Sequence, residues 1–95
     1  MTDRISCCVP FCRRTFRKLD HVEVVCGKHW RLVSPVLRRR KAKLYRMYRK
    51  RFGDKGYWEF PPGSEKRIEA IRLDRLCGEI WKRCRNQAIE RAGGI

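Results

Sequence analysis

The sequence predicts a mainly α fold with a small β part. An N-terminal Cys3His knuckle with a β-hairpin comes first, and an antiparallel pair of long helices follows. Three observations point there. Chelating side chains gather in two short-spaced pairs before residue 30. Two later stretches carry apolar residues at helical period. Each of those stretches is framed by residues that start and stop helices. A chain of 95 residues suits one small domain, here 1–95, and no internal repeat divides it.

The first segment, 5–33, is Cys-rich. Within it His21-Val22-Glu23-Val24-Val25 alternates as a β-strand does. The second, 35–52, reads as a helix with Ser34 as N-cap, Pro35 at the first helical position and Gly53 just past the end. The third, 53–63, is a loop dense in Gly, Pro and aromatic residues. The fourth, 65–92, is a long helix opened by Ser64 and closed by Gly93-Gly94. Ala70, Leu73, Cys77, Ile80 and Cys84 form its apolar stripe, flanked by Leu76, Trp81 and Ala88. Such a stripe must be covered. Val36, Leu37, Leu44, Met47, Tyr48 and Phe52 of the shorter helix offer a cover. Self-association of the long helix is the alternative, so monomer and homodimer both stay open.

The strongest constellation is Cys7-Cys8-Val9-Pro10-Phe11-Cys12 followed by Cys26-Gly27-Lys28-His29. From Cys7 it reads C-x4-C-x13-C-x2-H, two close pairs of thiolate and imidazole donors that suit tetrahedral Zn²⁺. The intervening spacer can fold out as a β-hairpin and return. Cys8 in place of Cys7 gives C-x3-C, and adjacent cysteines do not easily both ligate. A segment this short has too little apolar surface to fold alone, and structural zinc supplies about 10–16 kcal/mol in comparable peptides. Cys77 and Cys84, seven apart on the apolar face, are expected to be small core residues.

The string C-C-V-P-F-C … V-V-C-G-K-H-W-R-L-V resembles small zinc-binding proteins encoded by phages and prophages. It is also similar to the Cys3His knuckle beside some phage-type HNH endonucleases. The likeness covers residues 7–33 and implies Cys7, Cys12, Cys26 and His29 as the metal ligands. Beyond the knuckle the chain departs from the nuclease pattern. His21 is its only other histidine, and no downstream Asn/His arrangement is present to hold a catalytic metal.

Charge points to the partner. The chain carries 25 Lys+Arg against 10 Asp+Glu, a formal net charge of +15. Residues 24–53 hold eleven bases and no acid, so one segment carries most of the excess. On a helical projection Arg38, Arg39, Lys43, Arg46, Arg49 and Lys50 fall within an arc of roughly 140°. Such like charges repel at helical spacing, and a polyanion relieves the repulsion. Arg prevails over Lys, and its planar fork suits phosphate oxygens and base edges. Lys28 and Arg31 extend the footprint beside the knuckle, where Trp30 is expected to pack. Tyr57, Trp58 and Phe60 either stack on unpaired bases or cap the helical hairpin, with packing favoured for Trp58.

The expectation is therefore a zinc-stabilised, basic nucleic-acid-binding protein, DNA or RNA, probed by its Arg/Lys-rich helix. The alternative is a phage-type inhibitor of a host nucleic-acid-processing machine: a CRISPR effector, a restriction enzyme or RNA polymerase. Catalysis is not expected, because no paired carboxylates and no Gly-rich phosphate loop occur. No apolar run reaches the roughly 20 residues of a membrane span, and no signal-peptide core follows Met1. A cytoplasmic location is expected, in a bacterial host cell if the protein is phage-encoded.

Overall fold

A computed structural model describes residues 3–19 and 21–93. The element order is β1 (Arg4–Ser6), β2 (Thr15–Arg17), a single helical turn α1 (Gly27–Trp30), α2 (Pro35–Phe52), a 3-10 turn (Tyr57–Glu59) and α3 (Glu65–Arg91). The chain is mainly helical, with one two-stranded antiparallel hairpin at its N-terminal end. None of the described helices is long and apolar enough to cross a membrane.

The backbone gathers into two compact units. One joins the residues up to Ser34 with those from Arg83 onward; the other is Pro35–Lys82. Helix α3 contributes to both.

In the first unit β1 and β2 pair with Arg4 opposite Arg17, Ile5 opposite Phe16 and Ser6 opposite Thr15. The chain leaves β1 directly into the Cys7–Cys12 loop. Cys7 then pairs in parallel with Val24 as an isolated bridge. The expected strand at 21–25 is therefore absent, and the hairpin is not built within the spacer. Val22 points into solvent, and among the described residues Val24 alone of that stretch makes a β-bridge. Alternation alone does not make a strand where no neighbouring edge is available. Cys7, Val9 and Cys26 form the buried core here, with Cys12, Val25, Ile89 and Ala92 packed on it. Three further ties fix the C-terminal turns of α3. The Glu23 carboxylate accepts two hydrogen bonds from Arg85 at 2.8 and 2.9 Å. The Ser34 amide donates to Gln87 Oε1. Arg91 donates to the Leu32 carbonyl at 2.8 Å.

In the second unit α2 and α3 run antiparallel. Arg51 of α2 pairs with Glu69 near the start of α3, and Lys41 lies 6.0 Å from the Trp81 ring further along it. Phe52, Ala70 and Ile80 are buried. The connection folds back on the end of α2. Phe60 packs edge-on against Phe52 at 5.6 Å, and Tyr48 donates to the Lys55 carbonyl at 2.7 Å. Phe60 thus supplies the packing expected of Trp58, whose ring stays 67% exposed over the backbone of Gly56.

The helix ends follow from their capping residues. Gly53 closes α2 at φ +66 and Gly93 follows α3 at φ +78, a region costly for residues with a Cβ. At the start of α3 the Ser64 hydroxyl accepts the Arg67 amide at 3.2 Å, an N-cap that satisfies one otherwise orphaned donor. The apolar stripe is covered at Ala70, Ile80, Cys84 and Ala88 and half-covered at Leu73 and Cys77. Leu76, at its edge, remains 48% exposed.

Candidate metal centre

Three pieces of backbone bring four donors together. Cys7 is held by its amide, which donates to the Arg14 carbonyl at 3.0 Å, and by its bridge to Val24. Cys12 ends a tight turn, its amide donating to the Val9 carbonyl at 3.0 Å. Cys26 precedes α1 in an extended conformation, and His29 sits one turn on. A single helical turn places residues three apart on one side, so Cys26 and His29 face the same point.

The ligand atoms of Cys7, Cys12, Cys26 and His29 all lie within 4.8 Å of one another. The Cys12 and Cys26 sulfurs are 3.8 Å apart. His29 Nδ1 stands 3.8 Å from Cys7 Sγ and 3.2 Å from Cys26 Sγ. With a metal–sulfur bond of about 2.3 Å, the edge of a regular tetrahedron of sulfurs is about 3.8 Å. The donor set therefore has the size and chemistry of a tetrahedral metal site. Two of its members, Cys7 and Cys26, are buried.

The surroundings favour thiolate unevenly. Burial pushes the Cys7 thiol up. Burial acts on Cys26 in the same sense, but the backbone amide of His29 and the neighbouring Cys12 and Cys7 thiols outweigh it and hold Cys26 below the ordinary range. The Cys26 amide in turn donates to Cys7 Sγ at 3.3 Å. Such an N–H to sulfur contact stabilises a ligating thiolate.

Cys8 faces away from the cluster. Its sulfur meets Glu23 Oε2 at 3.8 Å, and burial together with the Glu23 charge raises its thiol. The alternation of side chains along extended backbone sends Cys7 inward and Cys8 toward the Glu23–Arg85 pair. Cys77 and Cys84 stand outside the cluster, half-buried and buried respectively.

The cationic residues divide less neatly. Arg39, Lys43, Arg46, Arg49 and Lys50 are exposed on α2, and Lys28 and Arg31 are exposed in and just after α1. Arg38 is half-buried at the edge of the covered arc and is engaged by other groups, so it does not belong to the open face. Arg40 is exposed on that face, and the projection left it out. Arg51 is exposed too, but Glu69 holds it at 2.7 Å. The open set is Arg39, Arg40, Lys43, Arg46, Arg49 and Lys50. Among the described residues none of the six forms an ion pair.

Fold and site together define a small, mainly helical protein with a Cys3His cluster able to hold a metal ion. No family model matches the chain, and no curated protein or solved structure shows significant similarity to it.

Proposed function

We infer that the protein is a zinc-stabilised nucleic-acid-binding protein of the phage type, acting by binding rather than by catalysis. Three thiolates and one imidazole favour Zn²⁺ over harder cations, and such a set fills all four positions of a structural site. Zinc would fix the Cys7–His29 segment and leave no open position for substrate. The observation that carries the reading is the open face of α2. Six cations without an internal counter-ion lie along Arg39–Lys50, which spans about 16 Å at 1.5 Å per residue. Phosphates are the polyanion such a ridge matches, and Arg supplies four of the six groups.

The test is a salt titration of binding to duplex DNA, with zinc measured on the same sample. One zinc per chain is expected. If all six cations meet phosphates, log K falls against log salt with a slope of about −5, since each contact contributes about −0.9. Arg46→Ala reduces that slope by about 0.9 in magnitude and weakens binding to all sequences alike. Affinity indifferent to salt, or a slope that Arg46→Ala leaves unchanged, overturns the reading. A protein partner retained after complete nuclease digestion, without affinity for DNA or RNA, moves the ridge to an acidic protein surface.

A further inference from the structure

A second cationic surface lies in the first unit. Beside the Cys3His cluster is an open cleft of about 520 Å³. Phe11, Arg13, Arg14, Lys28 and His29 line it, together with Val9 and Ala92. Phe11 occupies the tip of the Cys7–Cys12 loop and is 75% exposed. A phenylalanine so placed gives up most of its burial energy, on the order of 1.5–3 kcal/mol, in a unit that has few buried apolar side chains. Arg13, Arg14 and Lys28 are exposed, and among the described residues none has a carboxylate partner.

We propose that this cleft binds an unpaired nucleotide of single-stranded nucleic acid, with the base on the Phe11 ring and its phosphates on Arg13, Arg14 and Lys28. The proposal rests on the reading of the protein as a nucleic-acid binder, and it names what the first unit recognises. An aromatic face beside a cationic groove is the pairing that unpaired bases need, since every base has a π-face and every link a phosphate. A stacked base in a duplex has no free face for Phe11 to cover. Charge supports the same occupant. Zn²⁺ with three thiolates and a neutral imidazole carries one net negative charge. The three cations exceed it by two, and a phosphodiester balances part of that surplus. Lys28 and His29 lie on α1 and Phe11, Arg13 and Arg14 on the loop after Cys7, so a metal held by the cluster would fix both walls.

The experiment measures fluorescence anisotropy with the zinc-loaded full chain at one salt concentration. Probes are a thymidine and a uridine homopolymer of about eight nucleotides and a blunt mixed-sequence duplex. Phe11→Ala is expected to weaken homopolymer binding by about 5-fold to about 100-fold and to leave duplex binding unchanged. Phe11→Tyr keeps the ring and keeps the affinity. Arg13→Ala with Arg14→Ala lowers the homopolymer salt slope by about 1.4 in magnitude, about 0.7 per contact on single strands. Zinc content verifies that each variant holds its knuckle, and the two homopolymers separate DNA from RNA. Loss in Phe11→Ala that is equal for duplex and homopolymer, or no loss at all, overturns the proposal. Wild-type binding to duplex without binding to either homopolymer overturns it while leaving the α2 reading intact. Failure of all three probes overturns both.

Discussion

Removing the metal should unfold one of the two compact units and spare the other. Between residues 3 and 34 the buried apolar side chains are Cys7, Val9, Cys26 and Val33. At about 1.5–3 kcal/mol each they contribute at most about 12 kcal/mol. A structural zinc contributes about 10–16 kcal/mol, so metal supplies about half or more of what favours this segment. Two of the four buried residues are themselves ligands. The loss reaches α3 through named contacts: Ile89 and Ala92 pack on the Cys7/Val9/Cys26 core, Arg85 is held by Glu23, Gln87 by the Ser34 amide and Arg91 by the Leu32 carbonyl. Amide hydrogen exchange read by mass spectrometry resolves the outcome. After chelation, residues 3–34 and 85–92 should lose protection, while Pro35–Lys82 keep theirs, because buried Phe52, Ala70 and Ile80 belong to the unit that does not hold the cluster. Unchanged protection of residues 3–34 after full metal removal, or equal loss along the whole chain, would refute this reasoning.

Two further outcomes follow from the same geometry. Glu23→Gln should cost about 1–2 kcal/mol by chemical denaturation, because the Glu23–Arg85 pair is only 35% and 24% exposed, between the surface and buried regimes. Glu69→Gln should cost under about 0.5 kcal/mol, since the Arg51–Glu69 pair is mostly in solvent; equal costs would contradict that ranking. Thiol labelling of the zinc-loaded protein should modify Cys8 and Cys77 and spare the three ligand cysteines and buried Cys84. Burial raises both Cys8 and Cys77, with Glu23 and Asp74 adding to it, so less thiolate is present at a given pH. Their labelling should therefore be slow and its pH profile displaced above that of a free thiol. Rapid labelling of Cys12 before chelation would contradict the ligand assignment.

The helices were legible because their punctuation is chemical. Pro35, Gly53 and Gly93 act through a backbone constraint and Ser64 through its capping hydroxyl, and each stands where a helix begins or ends. Spacing made Cys12, Cys26 and His29 legible and left the fourth position between Cys7 and Cys8. The strands were not legible. β1 and β2 are three residues each and almost wholly exposed, so they carry no apolar alternation to read. The stretch 21–25 does alternate, yet among the described residues its one strand-like pairing is the isolated bridge of Val24 with Cys7. The choice between Cys7 and Cys8 depends on that same bridge, a long-range pairing that no local pattern encodes. The edge of the cationic face was also illegible. Projection gives the angular order of side chains, but not how wide an arc the partner helix covers. Arg38 falls just inside that arc and Arg40 just outside it.

The placement of the acids makes a last consequence calculable. Glu23 and Glu69 are held by arginines, and Glu59 accepts the Gly56 amide at 2.7 Å. None of these three neutralises the open face of α2. That face holds five like-charge contacts at helical spacing: Arg39 with Lys43, Arg40 with Lys43, Lys43 with Arg46, and Arg46 with both Arg49 and Lys50. At about 0.2–0.5 kcal/mol each they cost the helix about 1–2.5 kcal/mol when unscreened. Screening shortens from about 30 Å at 0.01 M salt to about 10 Å at 0.1 M. The repulsion therefore fades as salt rises, and the exposed Arg51–Glu69 pair loses too little to offset it. The free protein should gain about 1 kcal/mol of stability across that range, read by chemical denaturation, while its affinity for nucleic acid falls. A free protein whose stability drops or stays level with salt would mean that the face has counter-ions of its own, and phosphate would no longer be needed to explain it.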